Sequence, residues 1–175
     1  MKLNEAKLIA QKYVSKLRPY CDKIMIGGSI RRQKPWVKDI EIICVPKRFS
    51  PEIKDLFGGV TKEPERPLKE FCDFVNTLEA VKGNPAGKYT QRVLPEGIKL
   101  DLFMAERDNF GLIAMIRTGS ANYSKEVMVQ LLKRGFKSDE GRLINTQTGE
   151  IVPVETEKDF YNITRIRYVK PQDRI

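Results

Sequence analysis

The chain has no histidine. That removes an imidazole general base and with it the serine–histidine and cysteine–histidine hydrolases. Cysteine is scarce: Cys21, Cys44 and Cys72 stand far apart, odd in number and without a Cys-x-x-Cys pair. Cys/His ligand sets for structural zinc are therefore missing, and the three residues read as buried thiols in a reducing compartment. No run of about 18 apolar residues exists to span a bilayer. The N-terminal MKLNEAKLIAQKYVSK mixes apolar and charged residues and lacks the continuous apolar core of a signal peptide. These absences point to the cytoplasm. Internal repeats and low-complexity tracts are missing too.

What is present suits a folded domain. The chain has 175 residues, 41% of them hydrophobic, enough to build a normal core. Its 32 basic residues outweigh 23 acidic ones, giving a net charge of +9. That excess favours a polyanionic partner, because each phosphate neutralised releases counterions. A basic surface without a nucleic-acid role satisfies the same numbers.

Periodicity organises the chain. Residues 4–18 predict an amphipathic helix with stripe Ala6, Ile9, Ala10, Tyr13, Val14 and Leu17, Asn4 as N-cap and Pro19 after its end. Strands are expected at 23–27 and at 39–45, the second closed by Pro46. Residues 51–57 and 67–79 read as helical, separated by Gly58-Gly59 and a charged, proline-rich stretch. Residues 88–94 and 98–104 read as a hairpin around Pro95-Glu96-Gly97. A short helix at 108–116 enters Arg117-Thr118-Gly119-Ser120, and a helix at 122–134 ends at Gly135. A small hairpin at 142–145 and 151–154 precedes a last helix starting near Thr156, with Glu157 and Asp159 in its first turn. The order argues an α+β fold with a boundary near 105–118.

Three carboxylates lie inside apolar strands. Asp39 and Glu41, two apart in DIEII, point to one face of their strand, and Asp101 sits in IKLDLFM. Taken singly, each also fits a polar position on a half-exposed strand. An acid among apolar neighbours is costly unless compensated, and Mg²⁺ is a natural compensation, bound by carboxylates together with substrate phosphates. Two such ions would activate an attacking 3′-hydroxyl and stabilise a leaving pyrophosphate. Ten residues before Asp39 stands Ser29, in Ile26-Gly27-Gly28-Ser29-Ile30-Arg31-Arg32. Such a glycine-serine turn offers N–H groups and a hydroxyl to a phosphate, and Arg32 adds a guanidinium. Alone it also reads as a solvated turn; with the acid-x-acid strand at that distance it becomes specific.

This combination resembles the nucleotidyltransferase signature, and most closely that of family X DNA polymerases, the DNA polymerase beta-like group. GSIRR with Asp39 at its distance is similar to their phosphate turn and first ligands; Asp101 in LDLF is similar to the third. Thr118-Gly119-Ser120, seventeen residues on, resembles their TGS turn. KRGFKSDEGRL, PVETEKDF and RYVKPQDR resemble their small terminal domain. The likeness runs from about residue 5 to 175. It implies a palm over 1–105, a mixed sheet with helices on one face, and a small α+β nucleotide- and DNA-facing subdomain over 106–175. The chain starts at the helix before the phosphate turn, as in the shortest viral members, without the lyase and helix-hairpin-helix region of larger ones.

By that resemblance Asp39, Glu41 and Asp101 are the catalytic carboxylates and the ligands of two Mg²⁺ ions, with Mn²⁺ as substitute. Asp101 would also take the proton of the primer hydroxyl. Gly28, Ser29 and Arg32 would hold the triphosphate, and Thr118, Gly119 and Ser120 would lie against the sugar. Tyr123 would stack on the base, or pack on the palm. Lys88, Arg92, Lys99, Lys133 and Arg134, with Lys137, Arg142, Arg165 and Arg167, would supply DNA affinity. The implied activity is a monomeric, template-directed DNA polymerase adding nucleotides from a triphosphate to a primer end or short gap. Transfer to RNA ends, a protein or a small molecule is the competing activity, and an inactive DNA-binding module a third reading. Three departures stand out: Glu41 where the family usually has Asp, Ile116-Arg117 where it has aromatics, and Ser124 and Met128 where it places Asn and Arg against the base pair. The last implies low fidelity.

Overall fold

The computed structural model describes residues 1–54 and 59–175. Helix α1 (Leu3–Leu17) leads through a 3₁₀ turn to β1 (Cys21–Ile26), the one-turn helix α2 (Gly28–Arg31) and β2 (Asp39–Pro46). Short strands follow: β3 (Arg48–Phe49), β4 (Glu52–Lys54), β5 (Val60–Lys62) and β6 (Arg66–Pro67). Then come α3 (Lys69–Asn76), β7 (Glu79–Gly83), β8 (Tyr89–Val93) and β9 (Lys99–Met104). The C-terminal part holds α4 (Phe110–Thr118), α5 (Ala121–Lys133), β10 (Phe136–Asp139), β11 (Arg142–Asn145), β12 (Ile151–Val152) and α6 (Glu157–Thr164).

The main sheet is mixed, in the order β1-β2-β9-β8-β7, and the fold is α+β as expected. Only the central β2–β9 pair is parallel; its neighbours are antiparallel. Strand alternation divides the side chains. Ile40, Ile42, Cys44, Leu100, Leu102 and Met104 point to one face and pack with Ala6, Ala10, Tyr13 and Leu17 of α1 and Phe71 and Val75 of α3. Burying a side chain of this size contributes about 1.5–3 kcal/mol, so this layer is a major source of stability for the five-stranded sheet. On the other face Ile43 and Phe103 meet Phe110 and Ile113 of α4. A separate core of Leu112, Met115, Val127, Leu131, Leu143, Val154 and Phe160 holds α4, α5, α6 and the three-stranded sheet β10-β11-β12 together.

Several expectations are corrected. The stripe of α1 is buried as read except for Ile9, which is half-buried, but the helix starts at Leu3 with Lys2 in the cap position, so Asn4 is inside it. The predicted helix at 51–57 is instead a hairpin strand over Glu52–Lys54, paired to β5; residues 55–57 lie outside the described residues. β7 has no clear alternation and becomes the sheet edge by pairing to β8. The C-terminal hairpin gains a third strand, β10. Cys21 and Cys44 are buried free thiols, whereas Cys72 is only half-buried. The last helix starts where expected. Thr156 Oγ1 accepts the Asp159 N–H at 3.1 Å and Asp159 Oδ2 accepts the Thr156 N–H at 2.9 Å, a reciprocal cap that satisfies two otherwise orphan donors. Among the described residues no helix is long and apolar enough to cross a membrane.

Candidate active site

The three carboxylates share the face of the central strands opposite α1 and α3, next to the part of that face that α4 covers. Parallel register places Glu41 beside Asp101 and Asp39 beside Lys99. Asp101 is 8% exposed; Asp39 and Glu41 are half-buried. Burial, and then the charge of Asp101, pushes the Asp39 carboxyl up from its ordinary range. Glu41 is pushed up to about 7, first by burial and then by the charges of Asp39 and Asp101, against the pull of Arg32 and Arg117. Like charges thus crowd a poorly hydrated patch.

The turn after β1 sits over this patch. Gly28 adopts φ +58°, and a Cβ there would stand 1.6 Å from Glu41 Oε2, so only glycine lets the Glu41 side chain lie against the turn. The Ser29 hydroxyl and Arg32 Nε are buried with no hydrogen-bond partner among the described residues. Arg32 Nη1 donates to the Thr118 carbonyl. Arg31 Nη1 donates to Thr118 Oγ1 at 2.6 Å, and its Nη2 to Glu157 Oε2 at 2.6 Å. The glycine-serine-arginine turn and the Thr118-Gly119-Ser120 turn, some 90 residues apart, are therefore tied together. Ser120 Oγ caps α5 by accepting the Tyr123 N–H at 3.2 Å.

Two residues that sequence reasoning passed over hold Asp101. Tyr89 Oη donates to Asp101 Oδ1 at 2.5 Å and Gln91 Nε2 donates to the same oxygen at 2.8 Å. Gln91 is the register partner of Asp101 on β8, so the signal was in the alternation of KYTQRVL, which aims Tyr89 and Gln91 at the carboxylate face. Beside them Tyr89 stacks on Phe103 at 5.1 Å, and the Arg117 guanidinium lies over the Phe103 ring at 4.2 Å. Together with Glu41 and Lys82 these side chains line a cleft of about 520 Å³.

Other sequence-predicted residues land elsewhere. Arg92 alternates to the core face, is 3% exposed and donates to Asn76 Oδ1 at 3.2 Å; it is not a DNA-facing cation. Tyr123 is 8% exposed in the C-terminal core, its hydroxyl 2.8 Å from that of Tyr161, so it packs rather than offering its ring to a base. Ser124 Oγ donates to the Ile116 carbonyl at 3.0 Å and Met128 packs against the same core. Arg142 is engaged by Glu106 and Asp108. Lys88, Lys99, Lys133, Arg134, Lys137, Arg165 and Arg167 are exposed; Lys88 lies 3.4 Å from Glu140.

The donor set is all carboxylate oxygen, which fits hard divalent cations, and the mutual repulsion of the trio fits them as well. Among the described residues no group of three or more His, Cys, Asp or Glu stands gathered as a ready-made metal cluster. Asp101 Oδ1 is instead occupied by Tyr89 and Gln91.

Residues 114–175 match the family model described as the DNA polymerase beta thumb. The whole chain superposes on a solved structure of Leishmania infantum polymerase beta, described as a ternary P/T complex. TM-score is 0.68 at 18% identity, over 100% of this chain and 76% of that one. The chain has a polymerase beta-like fold. In this polymerase beta-like fold the match to the thumb begins inside α4, immediately before the TGS turn. The turn that meets Arg31 and Arg32 thus belongs to the thumb match, while the carboxylates lie on the sheet that precedes it.

Proposed function

We propose that the chain is a template-directed nucleotidyltransferase. It adds a nucleotide from a deoxynucleoside triphosphate to the 3′-hydroxyl of a DNA primer, filling short gaps with low fidelity. The observation that carries this reading is the placement of Asp39, Glu41 and Asp101 on adjacent parallel strands beneath the Gly28-Ser29-Arg32 turn. The thumb match and the likeness to a polymerase solved as a ternary P/T complex support it.

In this reading residues 1–105 form the palm and 106–175 the small C-terminal subdomain. Asp39, Glu41 and Asp101 hold two Mg²⁺ ions, with Mn²⁺ as substitute. Such ions supply Lewis acidity and neutralise triphosphate charge. The buried, unpartnered Ser29 hydroxyl and Arg32 Nε offer donors to phosphate oxygens, and Gly28 lets the backbone approach closely. Asp101 accepts the proton of the primer hydroxyl, while Tyr89 and Gln91 fix its other oxygen. Thr118 and Gly119 stay aligned with the phosphate turn through Arg31 and Arg32. Ser124 and Met128 are engaged within the protein, consistent with weak checking of the new base pair.

The test is incorporation of labelled deoxynucleotide on a gapped duplex with Mg²⁺ or Mn²⁺, comparing the wild-type chain with Asp101→Ala. Templated extension by the wild type alone is expected. No DNA labelling, with label taken up instead by RNA or a protein acceptor, would overturn the proposal.

A further inference from the structure

Between the phosphate turn and Asp39 the chain runs through Gln33-Lys34-Pro35-Trp36-Val37-Lys38. This loop is fixed to the chain's start. The Leu3 N–H donates to the Pro35 carbonyl at 3.1 Å and the Val37 N–H to the Met1 carbonyl at 3.0 Å. The terminal ammonium donates to the Val37 carbonyl at 3.1 Å, and Lys2 and Trp36 form an antiparallel bridge. The backbone is well held, yet the Trp36 side chain is 67% exposed. Any residue could make the backbone bridge, so the bonds do not explain an indole here. With Lys2, Leu3, Asn4 and Pro35 it borders a shallow, mostly apolar hollow of about 340 Å³.

The first 38 residues carry most of the chain's positive charge, although Lys12, Lys23 and Arg31 among them are paired with Glu96, Glu155 and Glu157. Residues 1–38 contain ten basic and two acidic residues, a net +8 out of the chain's +9; the rest carries twenty-two basic against twenty-one acidic. Lys2 borders the hollow, and Lys34 and Lys38 flank Trp36 two residues away in the chain; none of the three forms an ion pair among the described residues, although the charge of Lys38 also acts on Asp39. One exposed indole beside Lys2, with Lys34 and Lys38 two residues away in the chain, is a poor patch for a second copy, which would bring the same positive segment against itself. It suits a strand of bases and phosphates.

We infer that Trp36 is a stacking platform for an unpaired base of a single-stranded nucleic-acid segment, with Lys2, Lys34 and Lys38 neutralising the flanking phosphates. The inference rests on the nucleic-acid substrate proposed above. Every base presents a π-face, so this platform adds affinity without sequence preference. The lysines make that affinity salt-dependent. The loop ends at Asp39, so a nucleic-acid segment seated on Trp36 is anchored three residues before β2, which carries Asp39 and Glu41.

Trp36 is the only tryptophan, so its emission reports this position alone. The full chain is titrated with a decathymidylate, following tryptophan emission and, with a fluorescein-labelled copy, anisotropy. Emission is expected to be quenched with the same midpoint as the anisotropy rise. Trp36→Ala should weaken binding about fivefold to a hundredfold, and Trp36→Phe, which keeps a ring, less. Lys34→Ala/Lys38→Ala should flatten the dependence of log affinity on log salt by roughly 1.4, about 0.7 per phosphate contact. Circular dichroism verifies folding; should Trp36→Ala unfold, the wild-type quench and the Trp36→Phe affinity decide. An anisotropy rise with no emission change, or unchanged affinity in Trp36→Ala, overturns this inference and leaves the polymerase reading standing. Equal quenching by a blunt duplex, or emission that follows protein concentration alone, overturns it too. No binding to either the oligonucleotide or a primer–template overturns both.

Discussion

Glu41 and Asp101 are register partners across the parallel pair β2–β9, so two acids from strands sixty residues apart stand side by side on one sheet face. Each is fixed from a different direction. Glu41 lies against Gly28 of the turn, and Asp101 is held by Tyr89 and Gln91 from β8. The crowding that follows is the feature with the most consequences for experiment.

The first consequence is for pH. The Glu41 carboxyl is raised from 4.5 to about 7 in the folded chain, chiefly by burial. A raised acid favours the protonated folded state, so its cost is absent below about pH 4.5, grows between there and 7, and is complete above 7. Each unit is 1.36 kcal/mol, which bounds the effect at about 3 kcal/mol. In metal-free buffer Glu41→Gln should melt higher than the wild type at pH 8 and show a much smaller gain at pH 5. Equal gains at both pH values would contradict the assignment.

The second concerns Gly28. A methyl group there collides with Glu41 Oε2 and must also adopt φ +58°. Gly28→Ala should cost at least about 1 kcal/mol in urea unfolding, and should lower labelled-nucleotide incorporation at least tenfold by displacing Glu41. Full activity would show that the close approach is dispensable.

A third prediction isolates the support of Asp101. Tyr89→Phe keeps the ring on Phe103 and removes only the hydroxyl that reaches Asp101 Oδ1. Loss of such a supporting hydrogen bond typically weakens metal binding about tenfold to a hundredfold. The concentration of Mn²⁺ needed for half-maximal incorporation should rise accordingly, with the melting temperature nearly unchanged.

The fourth concerns the C-terminus. Arg174 is 0% exposed, donates to Glu157 Oε1 at 2.8 Å and lies 5.0 Å from the Tyr123 ring centre. Glu157 in turn receives Arg31, which holds Thr118. Removing one member of a buried pair typically costs about 3–5 kcal/mol. Arg174→Ala should therefore lower stability by about that amount in urea unfolding. Glu157 keeps Arg31 after that change, so adding Glu157→Gln should cost further stability, but less than Glu157→Gln costs in the wild type, where two arginines share the carboxylate. Strictly additive losses would argue against coupling.

The amino-acid sequence by itself determined more of this protein than its length suggests. Period-3.6 and period-2 patterns placed α1, β2, the β8–β9 hairpin, α5 and α6, because each buries one face whose apolar spacing is local. The same alternation put Asp39 and Glu41 on one side of β2. Only the tertiary structure decided what these residues meet. The parallel β2–β9 pairing is a long-range choice, and it brings Asp101 to Glu41. β7 and the hairpin β4–β5 exist by pairing rather than by their own pattern, which is why the region after residue 50 misled. Arg92 looked like a surface cation by residue type and Tyr123 was open to stacking or packing, yet the sheet face and the second core claimed them. Positive charge alone could not separate a buried arginine from an exposed one, since that depends on which face a partner element covers. The acids were legible as a pattern; their crowding, and the tyrosine and glutamine that hold one of them, follow from strands that meet only in the folded chain.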